Sequence, residues 1–314
     1  MKILDEVKGA SSIAIGGHIR PDGDCVGSCL AMWNYLVKTM PDAEVTVYLE
    51  EPPAIFDVIN GVDRVLNEAD PLGKPDVFIC IDCNEDRLGF SGPLFRNAGK
   101  RINIDHHVSN PGCGDVNYIY PDASSAAELV YEVMDRDLID EEIAKAVYIG
   151  IIHDTGVLKY SSTSPKTLRI AADLISFGFD FTKLIDETFY EKTYVQSQIL
   201  GRSLMESIIF MDGKCVVSMV DRKTMDFYRA DSADLDGIVS QLLLIKDVEC
   251  AIFMHEQRPM EYKVSLRARN KLDVSVVAEA FGGGGHKKAA GCTMNGTYYD
   301  CINNLSYHIE QQLI

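Results

Sequence analysis

The feature that most constrains the fold is a near-continuous apolar segment, DVFICID over residues 76–82. A segment without polar alternation is typical of a strand that is covered on both faces of a parallel sheet. Shorter strands are predicted at residues 12–16, 45–49 and 101–104, and apolar residues recur at helical spacing over residues 24–40. This alternation of strand and helix predicts an α/β fold with a doubly wound, mainly parallel sheet.

The length of 314 residues, of which 46% are hydrophobic, predicts two domains with a core in each. Residues 1–185 are expected to form a catalytic domain, residues 186–205 a polar helical connector, and residues 206–314 a smaller α/β domain. Further helices are predicted at residues 124–135, 141–153, 165–178, 232–244, 274–281 and 301–313. Further strands are predicted at residues 215–220, 249–255 and 261–269.

The composition argues against several classes of protein. A formal net charge of −17 does not favour binding to long nucleic acid, so a nucleic-acid substrate is expected to be short. No apolar run approaches the roughly 18 residues of a membrane-spanning helix, and the charged first residues do not resemble a signal peptide. Nine cysteines without regular spacing indicate free thiols and a cytoplasmic location. The pair Cys80 and Cys83 has no partner pair at zinc-finger spacing, so buried strand thiols are expected.

Acidic and histidine side chains follow the predicted strands. The side chains concerned are His18, Asp22, Asp24, Asp82, Asp105, His106 and His107, and Asp154 follows a predicted helix. Because the carboxyl ends of parallel strands meet at one edge of a sheet, these side chains are expected to converge there. An Asp-x-Asp pair alone is usually a turn, and a lone histidine is usually a surface or core residue. Their joint occurrence at successive strand ends favours a shared site.

The mixture of carboxylates and imidazoles predicts a two-metal hydrolytic centre. Such ligands, without thiolates, suit manganese, iron or zinc better than calcium, and two Mn²⁺ ions are the expected cofactor. Two ions about 3.5–4 Å apart can clamp the attacking and leaving oxygens of a phosphoryl transfer and supply hydroxide at neutral pH. Asp22 and Asp24 are two residues apart in a turn, so each is expected to face a different ion.

These motifs resemble those of the DHH-family phosphoesterases over essentially the whole chain. The matching segments are HIRPDGDCVGS at residues 18–28, ID at 81–82, RLG at 87–89, DHH at 105–107 and DTG at 154–156. In the second half, FGGGGHKKAAG at residues 281–291 resembles the DHH-associated domain of the same family. Motif content and order together make the resemblance specific.

The resemblance implies a role for each matching residue. One Mn²⁺ would be held by His18, Asp22 and Asp82, and the other by Asp24, Asp82, His106 and Asp154, with Asp82 bridging. Asp105 would orient a histidine by a hydrogen bond, His107 would contact the scissile phosphate and protonate the leaving oxygen, and Arg87 is a candidate substrate contact. After residue 156 the chain reads VLKY where relatives often have Phe-Arg, so nearby substrate contacts are expected to differ.

A second group of candidates lies in the smaller domain. Gly283, Gly284 and Gly285 precede His286, and successive backbone N–H groups without side chains can approach a phosphate closely. Arg267 and Arg269 lie two apart on a predicted strand and would share one face as a guanidinium pair suited to phosphate. Taken alone, the glycine run is typical of a flexible loop, and the arginines are typical of a solvated strand face.

Candidate sites on two domains predict a cleft in which one domain cuts and the other holds the far end of a short substrate. Within the family, the compact two-domain form resembles enzymes that degrade short oligoribonucleotides and dephosphorylate adenosine 3′,5′-bisphosphate (pAp). The alternatives left open are linear or cyclic dinucleotides, short single-stranded DNA, and a non-enzymatic nucleotide-binding module. The polarity of degradation and the formation of a homodimer also stay open, and no membrane partner is expected.

Overall fold

The structure, a computed structural model, describes residues 1–313. The chain forms two compact units, one of residues 1–191 and the other from residue 192 onward. The strands of the first unit are β1 (Ser12–Gly16), β2 (Glu44–Tyr48), β3 (Val77–Ile81), β4 (Lys100–Asp105) and β5 (Val116–Ile119). Its helices are α1 (Ile3–Glu6), α2 (Gly23–Thr39), α3 (Gly92–Asn97), α4 (Ala126–Val133), α5 (Glu141–Asp154), α6 (Pro165–Ile175) and α7 (Phe181–Ile185).

The first sheet has the strand order β2-β1-β3-β4-β5, and all of its strands are parallel. The chain leaves β1 towards β2 on one side and returns to β3 on the other, so the strand order reverses beside β1. This topology confirms the predicted parallel α/β fold. The edge strand β5 is short and only partly buried, and the sequence analysis did not predict it.

Both faces of this sheet are covered, as the apolar segment at β3 predicts. Ile79 and Ile102 pack on one face against the helices α2, α4 and α5. Ala14, Phe78 and Phe95 pack on the other face, where α3 lies. Every residue of β3 is therefore buried, and the polar residues that follow it emerge only at the carboxyl edge.

Close packing of α2 on α5 depends on a glycine. A Cβ atom at Gly27 would lie 2.7 Å from the carbonyl oxygen of Ala146 and 2.7 Å from the amide nitrogen of Gly150. The sequence analysis did not reveal this contact, because Gly27 meets residues more than 100 positions further along the chain. The contact brings the first turn of α2 close to the last turns of α5.

The second unit is built on a mixed sheet with the order β10-β11-β9-β8-β7-β6. Its strands are β6 (Ile208–Phe210), β7 (Cys215–Val220), β8 (Cys250–Arg258), β9 (Glu261–Ala268), β10 (Gly284–His286) and β11 (Ala289–Asn295). Its helices are α8 (Tyr194–Met205), α9 (Arg222–Tyr228), α10 (Ile238–Leu243), α11 (Val274–Glu279) and α12 (Tyr298–Leu313). Only β7 and β8 pair in parallel.

Two segments of this unit differ from their predicted form. The helix expected over residues 232–244 is a 3-10 turn followed by α10, because Gly237 with φ of 83° interrupts it. The segment 186–205 is not one continuous helix. A π-helical turn over residues 186–190 ends the first unit, and α8 begins after Thr193, which caps it in a reciprocal pair with Gln196.

No helix within residues 1–313 is long and apolar enough to cross a membrane. The cysteines within these residues are free thiols, and Cys80 and Cys83 are buried as expected.

Candidate functional site

The carboxyl edge of the first sheet brings the predicted cluster together. His18 follows β1, Asp82 follows β3, and Asp105 ends β4 before His106 and His107. The site therefore lies beside the position where the strand order reverses, which is where open α/β sheets bind ligands.

Two helices supply the remaining carboxylates. Asp22 caps α2 by accepting hydrogen bonds from the backbone N–H groups of Asp24 and Cys25, both at 3.1 Å. Asp24 lies in the first turn of α2, and Asp154 is the last residue of α5. The close packing of these helices brings the acids to the strand edge.

Asp82 lies at the centre of the cluster. Its side chain is almost fully buried, and its backbone N–H donates to the carbonyl of Ile104 at 2.9 Å. Its φ angle of 62° is left-handed, a conformation that aspartate tolerates better than most residues. This backbone turn at the end of β3 directs the carboxylate into the cluster instead of along the sheet.

The two oxygens of Asp82 face two different groups of ligands. Oδ2 lies 3.3 Å from Nε2 of His18, which is itself 3.6 Å from Oδ1 of Asp22. Oδ1 lies 3.5 Å from Nε2 of His106, which is 3.6 Å from Asp154 Oδ2. Asp24 Oδ2 completes the second group at 3.8 Å from Nε2 of His106. These two groups contain the same residues as the two sets of metal ligands that the resemblance to the DHH family implies.

The donor atoms fit divalent cations. Asp82 Oδ1 is buried and has no hydrogen-bond partner within residues 1–313. The Nδ1–H of His18 donates to the carbonyl of Ile19 at 2.9 Å, which leaves Nε2 as the ring atom directed at Asp82. An orphaned carboxylate oxygen and an imidazole held in this orientation are what a metal site requires.

The charges of the cluster lead to the same conclusion. Burial raises the pKa of Asp24 well above its usual value, and the charges of Asp82 and Asp154 raise it further. Burial also raises the pKa of Asp154 to about 6. Burial would lower the pKa of His106, but Asp82 and the neighbouring acids raise it to about 10. Without cations, the cluster therefore holds protons that metal binding would displace.

One thiol lies close to the first group. Cys25 lies near His18, and the two side chains with Asp82 have potential ligand atoms within 4.8 Å of one another. Burial raises the pKa of Cys25 well above its usual value, which keeps the thiol protonated. Cys25 is therefore a neighbour of the site and a buried packing residue of α2.

Asp105 is hydrogen-bonded to a histidine, as expected. Its Oδ1 pairs with Nδ1 of His107 at 2.7 Å and accepts the backbone N–H of His106 at 2.7 Å. Burial would raise the pKa of Asp105, but His107 and Asn110 lower it, so it carries a charge. The Nδ1–H of His107 is therefore engaged, and Nε2 is left for another partner on a side chain that is 41% exposed.

Two asparagines behind Asp105 were missed by the sequence analysis. Asn110 donates to Asp105 Oδ2 at 2.6 Å and to Asn103 Oδ1 at 3.0 Å. Asn103, buried within β4, donates to the carbonyl of Cys83 at 2.8 Å. This network connects the orienting carboxylate to the segment after Asp82. A buried polar residue within an apolar strand was the only signal for it in the sequence.

Asp24 also has a structural contact that the sequence did not reveal. Its Oδ2 accepts the backbone N–H of Ala126 at 2.6 Å, and its Oδ1 accepts that of Ala127 at 2.9 Å. These are the first N–H groups of α4, where a carboxylate is favoured by the helix dipole. A single carboxylate thus holds α4 and faces the second group of ligands.

His153 lies in α5 and does not join the cluster. Its ring packs edge-to-face against Phe56 and Phe189, at centroid distances of 5.0 and 5.4 Å. Burial lowers its pKa to about 4. A Cβ atom at Gly23 would lie 2.2 Å from this ring, so the glycine makes room for the histidine.

The backbone after Asp154 forms a strained turn. Gly156, Val157 and Leu158 have consecutive φ angles of 57°, 57° and 62°. Such a conformation is unusual for a β-branched residue and costs of order 1–3 kcal/mol. The N–H of Val157 donates to the carbonyl of Ile152 at 2.7 Å and stabilises the turn. The turn begins the VLKY segment, and the difference in substrate contacts that is expected there stays a prediction.

Arg87 is exposed at the end of a 3-10 turn in the first unit. Its carbonyl accepts the backbone N–H of Ile19 at 2.8 Å, which ties this turn to the segment that carries His18. Its proposed contact with substrate stays a prediction.

In the second unit, the two arginines make different contacts. Arg269 follows β9, and its guanidinium donates to the carbonyls of Leu243 and Ile245 at 2.6 and 3.0 Å. It therefore satisfies backbone groups at the end of α10. Arg267 lies within β9 and lines a small cavity. Both arginines lie on the side of the sheet against which α10 packs, and their proposed contact with a phosphate stays a prediction.

The glycine run is more ordered than a flexible loop. Gly284–His286 is the edge strand β10, which pairs with β11 and leaves His286 exposed. A Cβ at Gly283 would lie 2.2 Å from the carbonyl oxygen of Gly291, and one at Gly285 would lie 2.5 Å from that of Ala289. The absence of side chains thus permits close strand packing. Gly283 and Gly284 also line a cavity of about 610 Å³.

Comparison with known proteins finds a matching family model in each unit. The model of the DHH family, N-terminal domain, matches residues 12–151, and that of the DHHA1 domain matches residues 212–314. The chain is similar to the bifunctional oligoribonuclease and PAP phosphatase NrnA of Thermus thermophilus, with 27% identity over 302 residues, 95% of this chain and 88% of that protein. It is 25% identical to NrnA of Bacillus subtilis over 290 residues, 90% of this chain and 89% of the relative.

Solved structures agree on the fold. An exopolyphosphatase-related protein from Bacteroides fragilis matches 98% of this chain and 94% of its own, with a TM-score of 0.88 and 24% identity. RecJ of Thermus thermophilus, solved with Mn²⁺, matches 98% of this chain and 54% of its own, with a TM-score of 0.53 and 14% identity.

Proposed function

Because the chain belongs to the DHH family and carries a DHHA1 domain after its DHH domain, we propose that it hydrolyses short oligoribonucleotides to mononucleotides and pAp to AMP. The coarser activity, that of a phosphoesterase acting on ester bonds, follows from the family. The named activities of the similar proteins from Thermus thermophilus and Bacillus subtilis support the finer proposal.

The observation that carries the proposal is the position of Asp82. Its two carboxylate oxygens face two separate groups of donor atoms, so one buried side chain would be shared by two cations. His18 and Asp22 would complete one site, and the other ligands are those grouped around Nε2 of His106. When bound, two divalent ions would lower the pKa of water and offset the charge of phosphoryl oxygens. Mn²⁺ is the proposed ion, since RecJ shares the fold and was solved with it.

His107 is proposed to act on the leaving oxygen. Asp105 raises the pKa of this imidazole by accepting its Nδ1–H, which favours a proton on the outward Nε2. A histidine held in this way is suited to donate that proton as the phosphorus–oxygen bond breaks. Asp105 and Asn110 would then position the ring without contacting the substrate.

A panel of substrates tests this proposal. The assay compares kcat/KM in the presence of Mn²⁺ for di- to pentaribonucleotides, pAp, linear and cyclic dinucleotides, and short single-stranded DNA. The expected result is the highest kcat/KM for the short oligoribonucleotides and pAp. A preference for a cyclic dinucleotide or DNA would reassign the substrate. Binding of nucleotides without release of product from any of them would indicate a binding module.

A further inference from the structure

Three cysteine side chains meet on one face of the first sheet. Cys80 lies in β3, Cys83 follows that strand, and Cys113 lies in the loop between β4 and β5. The Sγ atoms of Cys80 and Cys83 are 3.7 Å apart. Both residues belong to the same small apolar cluster, and Cys113 packs against it. None of these thiols takes part in the proposed hydrolysis.

Asn103 brings Cys113 to this face. It pairs with Cys80 in the register of β3 and β4, so the two side chains project on the same side of the sheet. Its Oδ1 accepts hydrogen bonds from the Sγ–H and the backbone N–H of Cys113, both at 3.3 Å. Its Nδ2 donates to the carbonyls of Cys80 and Cys83 at 3.2 and 2.8 Å. One buried amide therefore holds all three cysteines together.

Cys113 is the cysteine that an oxidant in solution can reach. Within residues 1–313 it is only partly buried, whereas the other cysteines are buried. The Cys80 thiol lowers the pKa of the Cys113 thiol and outweighs its partial burial, and the backbone N–H of Glu85 lowers this pKa further. Because the thiolate is the nucleophilic form, Cys113 combines the reactivity and the exposure of an oxidation-sensitive cysteine.

We propose that Cys113 and Cys80 form a reversible disulfide when the protein meets hydrogen peroxide. The Cys113 thiolate attacks one peroxide oxygen, the O–O bond breaks, and hydroxide leaves, so that the sulfur becomes a sulfenic acid. The Cys80 sulfur then attacks the sulfenic sulfur, and the displaced oxygen leaves as water with the proton of the Cys80 thiol. The hydroxide takes up the proton that Cys113 released. Two thiols are thus oxidised to a disulfide, and the peroxide is reduced to two molecules of water.

The disulfide would reach the site through the network behind Asp105. Asn103 Oδ1 also accepts a hydrogen bond from Asn110 at 3.0 Å, and Asn110 holds the carboxylate of Asp105, which orients His107. The disulfide removes the Sγ–H donor from Asn103 and draws the loop towards β3. Oxidation is therefore expected to disturb the orientation of His107 and to lower kcat/KM. This effect on turnover rests on the proposed function, whereas formation of the disulfide does not.

Thiol mapping after peroxide treatment tests the chemistry. The protein is treated with hydrogen peroxide, its remaining thiols are blocked in denaturant with iodoacetamide, and its peptides are identified by mass spectrometry. We expect a disulfide between Cys80 and Cys113 that dithiothreitol reduces. Cys215 and Cys250 pair across β7 and β8 and are both buried, so they are the internal control and should stay thiols. A disulfide between Cys80 and Cys83, or no disulfide at Cys113, would overturn the inference.

Activity measurements test whether the disulfide acts as a switch. The kcat/KM for pAp with Mn²⁺ should fall by roughly tenfold to a hundredfold after oxidation, as when residues that orient a functional side chain are lost, and should return with dithiothreitol. Cys113→Ser keeps a hydroxyl that can donate to Asn103, so it should have near-normal kcat/KM before the treatment and keep it afterwards. Equal inactivation of the wild type and of Cys113→Ser, or an oxidised wild type with unchanged kcat/KM, would overturn the switch.

A readout without turnover separates this inference from the proposed function. The NMR signals of the His107 imidazole should shift when the wild type is oxidised and should not shift in Cys113→Ser. That result supports the coupling even if pAp is not hydrolysed. Unchanged His107 signals in wild-type protein that carries the disulfide would overturn the coupling, whatever the turnover.

Discussion

Replacing Asp82 with asparagine should nearly abolish hydrolysis while leaving the fold intact. The amide has almost the volume of the carboxylate, and asparagine tolerates the left-handed φ of 62° at this position. The backbone N–H of Asp82 would still donate to Ile104. Asp82→Asn is therefore a cleaner test than Asp82→Ala, which would add a cavity and backbone strain.

The size of the effect follows from the two contacts of this carboxylate. Asp82 Oδ2 lies at 3.3 Å from one histidine and Oδ1 at 3.5 Å from the other, so one substitution weakens both proposed cation sites. Lewis-acid stabilisation by a bound metal contributes several kcal/mol to a transition state. A loss of about 4 kcal/mol corresponds to roughly a thousandfold fall in kcat/KM.

Three measurements check this prediction. The kcat/KM for pAp with Mn²⁺ reports the loss, metal analysis of the purified variant reports how many ions remain, and thermal unfolding reports the fold. Asp86→Asn, an exposed acid four residues away, is the matched control and should change none of them. A folded Asp82→Asn variant that binds two ions and turns over within tenfold of the wild type would refute the shared role.

Other perturbations follow from the same contacts. Exhaustive chelation should abolish activity and Mn²⁺ should restore it better than Ca²⁺, so full activity of the metal-free protein would contradict a metal centre. The apparent affinity for Mn²⁺ should fall as the pH falls from 8 to 6, because protons compete with the metal for His106 and Asp154, whose pKa values are raised to about 10 and about 6. Titration calorimetry at several pH values checks this, and an affinity that does not change with pH would argue against it. Asn110→Ala should lower kcat by roughly tenfold to a hundredfold with the metal content unchanged, since its amide holds the carboxylate that orients His107; loss of metal instead would indicate a different role. Glu128→Gln should lower the free energy of unfolding at pH 7 by roughly 1–3 kcal/mol. Hydrogen bonds outweigh burial and lower the pKa of this buried carboxyl, so its contribution is present at neutral pH and should fade on acidification, and urea unfolding at pH 7 and pH 4 should show the difference from wild type shrinking.

The strand edge could be predicted because hydrophobic patterning is local. The apolar runs of β1, β3 and β4 are visible in a few consecutive residues each, and parallel strands place their carboxyl ends together. From these two facts the convergence of His18, Asp82 and His106 follows. The structure confirms that convergence.

Contacts that join distant segments could not be predicted in the same way. Asp24 holds the first N–H groups of α4, which begins 102 residues later. Arg269 donates to the carbonyl of Leu243, which lies 26 residues earlier in the chain at the end of α10. The glycine run forms a strand because β11 lies within reach of its backbone, although its composition is typical of a loop.

The sequence by itself determined the alternating elements of the first unit and the types of ligand at its strand ends. Periodicity and residue type are properties of short segments, so they can be recognised before the chain is folded. Only the tertiary structure decided that the two oxygens of Asp82 face different groups, and that Asn103 holds Cys113 on the same face of the sheet as Cys80. Those arrangements depend on strand register, helix packing and the rotation of buried side chains, and each of these is set by contacts between residues far apart in the chain.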